Sequence, residues 1–98
     1  MTRVRFLATA EQELLNGALY YDRLAPGLGA EFLDAVDAAA EGIREAPELW
    51  PVLRDETRRR MLRRFPYALL YRIEPDAIVV VAVMHLRRRP DYWTDRIR

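Results

Sequence analysis

Residues 67–84 read YALLYRIEPDAIVVVAVM, and the interpretation of the remaining chain starts from this stretch. Two apolar runs, Tyr67–Ile73 and Ala77–Met84, are separated by Glu74, Pro75 and Asp76. Runs rich in Val, Ile, Leu and Tyr are typical of strands, and a short segment that contains proline is typical of a tight turn. The stretch therefore predicts two consecutive strands joined as a hairpin.

A third strand is predicted just upstream, over Arg59–Phe65, with Pro66 at the bend before the hairpin. The short apolar run Val4–Leu7 predicts one more strand near the N-terminus. Helical patterns fill the segment between these two strands, so the chain mixes helices with a small sheet.

The first helix is predicted from about Ala10 to Leu24, after a capping box that begins at Thr9. A capping box satisfies free backbone amides at the start of a helix and is a signal for its N-terminus. The predicted inner face of this helix consists of Glu11, Leu14, Ala18 and Tyr21, widened by Leu15 and Leu19.

The second helix is predicted from Leu28 to near Ala46, because Pro47 disfavours helix in the residue before it. Its apolar positions recur at helical spacing, and acidic residues occupy the opposite surface. The predicted inner face consists of Phe32, Val36, Ala39 and Ile43.

The predicted fold is α+β, in the order β-α-α-β-β-β, with a helical hairpin packed on one face of a small, mostly antiparallel, curled sheet. A length of 98 residues and a hydrophobic content of 51% suit one domain over residues 1–98. A polar tail follows from Arg87 to Arg98, and it can form a short helix.

The last predicted strand is apolar on both faces. With strict alternation, one face carries Ile78, Val80, Ala82 and Met84, and the other carries Val79, Val81 and Val83. Such a strand is expected where both sides of a sheet are covered, and two helices cover one side. The other side is closed by the chain's own tail, by the curl of the sheet, or by another polypeptide.

Composition excludes several function classes. The chain has no cysteine and one histidine, His85, so we predict no disulfide, no thiolate nucleophile, and no metal or cofactor. The longest apolar run, Ile78–Met84, is far shorter than the roughly 20 residues that cross a bilayer. The N-terminus lacks the apolar stretch of a signal peptide, so we expect a cytoplasmic protein with no membrane partner.

The net charge of +1 hides an asymmetry. Residues 1–57 carry five Arg against eleven acids, a charge of −6, and residues 58–98 carry eleven Arg against four acids, a charge of +7. All sixteen basic residues are arginine, which a genomic bias toward Arg codons explains, but such a bias does not explain the clustering. Because guanidinium groups suit carboxylate and phosphate, the C-terminal half is expected to bind an acidic partner or nucleic acid.

Three blocks carry a resemblance to a known family: PELWP at 47–51, RRFPYALLYRI at 63–73 and VAVMHLRRRPDYW at 81–93. Together with Tyr20, Tyr21 and the step from Leu28-Gly29 to Phe32, they resemble toxins of the RelE/ParE superfamily, the plasmid stabilisation family of type II toxin–antitoxin systems. The resemblance covers nearly the whole chain. It implies a toxin that a cognate antitoxin neutralises, with a target in translation or DNA topology.

Two subgroups of that superfamily differ in activity. RelE-like members cleave mRNA on the ribosome without a metal, and ParE-like members inhibit DNA gyrase. This chain has Ala68 where the nucleases place a phosphate-stabilising arginine, and it lacks their lysines. The resemblance is therefore closer to the ParE-like side, and a gyrase inhibitor is favoured over an endoribonuclease. A homodimeric interaction module without toxicity is a further alternative.

Candidate site residues lie around the predicted sheet. If the protein is an endoribonuclease, the catalytic residues are His85, Arg88 and Tyr92. The candidates for binding the antitoxin or the target are Arg59, Arg60, Arg63, Phe65, Tyr67, Tyr71 and Arg87. Ordinary structural roles compete with these: strand aromatics usually pack inside, strand arginines usually lie in water, and a half-buried histidine usually bonds to the backbone.

Overall fold

Two helices pack on one side of a five-stranded sheet in the computed structural model, which describes residues 2–97. In chain order the elements are β1 (Val4–Phe6), α1 (Ala8–Leu24), α2 (Leu28–Glu45), β2 (Val52–Arg54), β3 (Thr57–Met61), β4 (Tyr67–Ile73), β5 (Ile78–His85) and a short 3-10 helix, Thr94–Ile97. The strand order is β1-β5-β4-β3-β2, with β1 parallel to β5 and the other pairs antiparallel. The predicted α+β architecture is confirmed.

The strand β2 was not predicted, and β3 begins two residues earlier than expected and ends at Met61. β2 and β3 form a tight hairpin through Asp55 and Glu56, whose φ angles are 49° and 58°. Positive φ at both central residues is the geometry of the commonest two-residue hairpin turn, and Asn-Gly is its usual sequence. Asp-Glu gives no such signal, so the hairpin was missed.

The helix α2 confirms its prediction, because all four residues of its predicted inner face are buried. The start of α1 differs: the helix begins at Ala8, and its N-cap residue Leu7 makes no side-chain capping hydrogen bond, so the predicted capping box at Thr9 is wrong. Leu15 and Leu19, predicted to widen the inner face, are exposed. No helix within residues 2–97 is long and apolar enough to cross a bilayer.

A bulge in the pairing of β4 with β5 changes which residues face the helices. Leu70 pairs with Ala82 and Tyr71 pairs with Val80, so Val81 is an extra residue. Val80 therefore packs with the helices before the bulge, whereas Val83 does so after it. The predicted strict alternation is wrong beyond Val81, because one inserted residue moves every later side chain to the opposite face.

The tail, residues 86–97, closes the second face of the sheet, which is the face opposite the helices. Trp93 is completely buried there, in a second core cluster with Leu70 and Met84. Its indole N–H donates to the carbonyl of Pro90 at 2.7 Å. Of the three possibilities for this face, closure by the chain's own tail is the one observed. The last residue of the predicted tail, Arg98, lies outside the described residues.

Candidate functional site

A pocket of about 380 Å³ opens between α1 and the end of the sheet where β4 begins and β5 ends. We call it the α1 pocket, and it is lined by Glu13, Asn16, Gly17, Tyr20, Tyr67, Val83, His85 and Arg88. Tyr67 and His85 are opposite each other in the strand register, and their ring centroids lie 4.9 Å apart in an edge-to-face arrangement. Three candidate residues from the sequence, Tyr67, His85 and Arg88, thus meet at one site.

The ring of His85 is half-buried and its orientation is fixed by the backbone. Its Nδ1 accepts a hydrogen bond from the backbone N–H of Arg87 at 3.0 Å. An accepting Nδ1 carries no proton, so the proton of the neutral ring resides on Nε2. Nε2 is then a donor, and His85 offers the α1 pocket no free lone pair with which to act as a general base.

The hydroxyl of Tyr92 lies under the α1 pocket and is already bonded. It donates to Oε2 of Glu13 at 2.7 Å, and Arg96 donates to both oxygens of the same carboxylate at 2.8 and 3.0 Å. Burial, and next the hydrogen bond to Glu13, raise the pKa of Tyr92 well above its ordinary value. The proton of the Tyr92 hydroxyl is therefore directed to Glu13.

The carboxylate of Glu13 also accepts the backbone N–H of Val83 at 3.0 Å, just beyond the bulge in β5. Arg96, besides its bonds to Glu13, donates a hydrogen bond to the backbone carbonyl of Val81 in β5 at 3.0 Å. The side chains of Glu13 and Arg96 are only 15% and 18% exposed. The two residues are 83 positions apart, and an acid on an amphipathic helix gives no sequence signal of such a partner. Glu13 was accordingly missed.

The guanidinium of Arg88 stacks on the ring of Tyr92, with its carbon 3.9 Å from the ring centroid. One planar face is thereby covered, and the N–H groups at the edge of the guanidinium stay available. Within residues 2–97, Arg88 has no carboxylate partner. The side chain contributes an uncompensated positive charge to the α1 pocket.

Two of the aromatic candidates belong to the interior. Phe65 is buried against Tyr21 and Phe32, with ring centroids 4.9 and 5.3 Å away. Tyr71 is completely buried, its hydroxyl donates to the carbonyl of Pro47, and burial raises its pKa. The ring of Tyr71 does not reach the surface and Phe65 is only 7% exposed, whereas the half-buried Tyr67 lines the α1 pocket.

The arginine candidates do not form one patch. Arg59 and Arg60 pair with Leu70 and Leu69, so they point to opposite faces of the sheet. The guanidinium of Arg60 stacks on Trp50 at 4.2 Å on the helix side.

A second depression, about 450 Å³ in volume, lies between α2 and β3. We call it the α2 groove, and its charged residues are Glu31, Asp34, Arg60, Arg63 and Arg64. Arg64 is paired with Glu31 at 2.8 Å, and Arg63 is exposed. Arg87 is also exposed, but it follows β5 and lies outside the groove. Arg60 and Arg63 therefore belong to the α2 groove, Arg59 lies on the opposite face of the sheet, and Arg87 lies beyond the end of β5.

Comparisons with known proteins show a family and a similar fold. A family model described as the ParE toxin of the type II toxin–antitoxin system, parDE, matches residues 4–90. A solved chain from the chromosomal ParDE TA system of P. aeruginosa has a similar fold, with a TM-score of 0.67 and 17% sequence identity. The similarity covers 89% of this chain and 98% of that chain. No curated protein shows significant sequence similarity.

Proposed function

The chain belongs to the ParE toxin family of type II toxin–antitoxin systems, and from this premise we propose that it inhibits DNA gyrase without catalysing a reaction. We further propose that a cognate antitoxin neutralises it. The family membership supports the role of toxin. The choice of gyrase over the ribosome rests on the chemistry that the α1 pocket offers.

The bonded hydroxyl of Tyr92 is the observation that carries this proposal. Metal-free RNA cleavage needs one group to accept the proton of the 2′-hydroxyl and another to protonate the 5′-leaving oxygen. Tyr92 donates to Glu13 and has a raised pKa, and the free ring nitrogen of His85 already carries the proton. These residues are poor candidates for both tasks.

The position of Ala68 supports the same conclusion. Its side chain is completely buried in the second core cluster, beneath the tail. A residue at this place contributes to packing and does not reach a phosphate.

For the antitoxin we propose contacts with Arg63 and Arg87, since these two candidates are exposed and, among the described residues, have no ion-pair partner. Exposed guanidinium groups attract an acidic segment and accelerate its association. Arg59, Arg60, Phe65 and Tyr71 support this surface through packing. Tyr67 contributes through the α1 pocket.

Three measurements test the proposal together. Purified protein is expected to inhibit supercoiling by gyrase in a dose-dependent way, and expression in cells is expected to arrest growth while mRNA ends stay unchanged. Co-expression of the neighbouring open reading frame is expected to restore growth. New mRNA 5′ ends with undisturbed gyrase activity would instead identify a ribosome-dependent endonuclease, and the Tyr92→Phe variant would then lose toxicity.

A further inference from the structure

Apart from the hydroxyls of Tyr20 and Tyr67, which can donate and accept, the polar side-chain groups of the α1 pocket that are free to bind are hydrogen-bond donors. Both oxygens of Glu13 are occupied by Val83, Tyr92 and Arg96. The guanidinium edge of Arg88 and Nε2 of His85 remain as donors.

The side-chain oxygen of Asn16 is also occupied, because it accepts a hydrogen bond from Gln12 at 3.0 Å, which leaves its amide N–H groups free. The α1 pocket thus carries one uncompensated positive charge and several donors, and such a set suits an anion.

We propose that the α1 pocket binds the carboxylate side chain of a protein segment that lies along α1. The volume of about 380 Å³ exceeds what one carboxylate fills, and it lies within the range of pockets that take up larger groups. The methylene groups of a Glu or Asp side chain, together with an apolar neighbour, fill the remainder. This inference goes beyond inhibition of gyrase and applies whichever cellular target the toxin has.

The surface of α1 beside the pocket is apolar, which favours a protein partner. Tyr20 lines the pocket, and Leu24 follows it by one turn on the same face of the helix. These side chains are 54% and 62% exposed. Exposed apolar side chains grouped on one helix are typical of a protein-binding surface.

The charge of the helical hairpin disfavours nucleic acid at this site. The helices α1 and α2 together carry eight acids and two arginines. A polyphosphate backbone that ran along this surface would be repelled over its whole length, whereas one carboxylate is attracted by Arg88 and meets few other charges. A segment with one acidic residue among apolar ones matches both the pocket and its surroundings.

Two synthetic peptides test the proposal on the full-length protein. Each is an amphipathic, helix-forming peptide with leucines on one face, and the two differ only in a single Glu or Gln between the leucines. Binding is measured by NMR titration of the labelled protein. Because hydrogen bonds to a charged group are stronger than neutral ones, we expect the Glu peptide to bind roughly tenfold more tightly, with shifts at Tyr67 and His85.

Variants of the protein show whether Arg88 is responsible. In Arg88→Gln the preference for Glu is expected to fall below about twofold, and in the matched control Arg89→Gln, an exposed arginine outside the pocket, it is expected to persist. The amide spectrum of each variant reports whether it is folded.

Four results would overturn the inference: equal binding of the two peptides, binding of neither, a preference that survives in Arg88→Gln, or stronger binding of adenosine monophosphate at the same residues. The last result would assign the pocket to a phosphate. Gyrase inhibition is measured separately, so failure of one proposal does not imply failure of the other.

Discussion

Glu13 is the side chain that joins the most distant parts of the chain. It lies on α1, yet its carboxylate accepts hydrogen bonds from the tail and from β5. The carboxylate is a hydrogen-bond acceptor for the backbone N–H of Val83, which lies beside the bulge where regular pairing of β5 with β4 is interrupted. One carboxylate therefore stabilises the bulge and holds the tail against the sheet.

We predict that Glu13→Ala lowers the free energy of unfolding by about 3 to 5 kcal/mol, because it leaves the guanidinium of Arg96 and the hydroxyl of Tyr92 without their acceptor in a mostly buried place. Urea denaturation measures this loss. As a control, Glu31→Ala removes the exposed pair with Arg64 and is expected to cost at most about 1 kcal/mol. Equal losses in the two variants would contradict the role given to Glu13.

The raised pKa of Tyr92 predicts a dependence of stability on alkaline pH. In the unfolded chain the phenol ionises near its ordinary value of 10.0, whereas in the folded protein it stays neutral to higher pH. The stability from this group is therefore fully present below pH 10 and is lost as the pH rises above it. Denaturant midpoints between pH 8 and about 11 should fall less steeply in Tyr92→Phe than in the unchanged protein. Identical slopes would rule out this assignment.

The helices α1 and α2 pack closely because of a glycine at their contact. A Cβ atom at Gly29 would lie 2.4 Å from the carbonyl oxygen of Ala18, a backbone atom that cannot move independently of its helix. The backbone N–H of Gly29 also donates to the side chain of Asp22 at 3.2 Å. The hairpin geometry thus depends on the absence of a side chain at this position.

We predict that Gly29→Ala lowers the free energy of unfolding by roughly 1 to 3 kcal/mol, since the helices must separate to admit the methyl group. Gly42→Ala is the matched control on the same helix. Its Cβ would meet only the side chain of Arg60, at 3.3 Å, so the gain in helix propensity of up to about 1 kcal/mol offsets the contact. Thermal unfolding of the two variants should therefore differ clearly. A more stable Gly29→Ala would refute the close contact.

The success of prediction from sequence varied with the element. The bounds of β4 were predicted correctly because its apolar run lies between two prolines, Pro66 and Pro75. The buried face of α2 was predicted correctly because its apolar residues recur at helical spacing. The bulge at Val81 could not be predicted from the sequence. In a strand with apolar residues on both faces, the sequence does not indicate which face each side chain occupies. Arg88 was recognised as a candidate because it follows His85 closely in the sequence. Glu13 and Tyr20 line the same pocket, but they come from α1, which is distant in the sequence.

The whole molecule consists of two cores on opposite faces of one sheet. The helices cover the larger core, and the tail covers the smaller one around Trp93. β5 contributes to both, and all of its residues except His85 are buried. The tail is therefore needed to cover one of the two faces of the sheet.

We predict that Trp93→Ala lowers the free energy of unfolding by about 3 to 5 kcal/mol, because it removes the largest fully buried side chain and leaves a cavity. The second face should then bind a hydrophobic dye. In the control Leu49→Ala, at a side chain that is mostly exposed, stability should change by no more than about 0.5 kcal/mol. Unchanged dye binding in Trp93→Ala would show that the tail is not the cover of this core.

The parallel pairing of β1 with β5 has a consequence for the moment at which the toxin first exists in the cell. Arg5 is synthesised before both helices, yet it pairs with Val79, which is synthesised after them. The helical hairpin therefore emerges from the ribosome before the strand that covers its apolar side. The larger core closes only when β5 has been made, and the smaller core follows when the residues around Trp93 reach the opposite face.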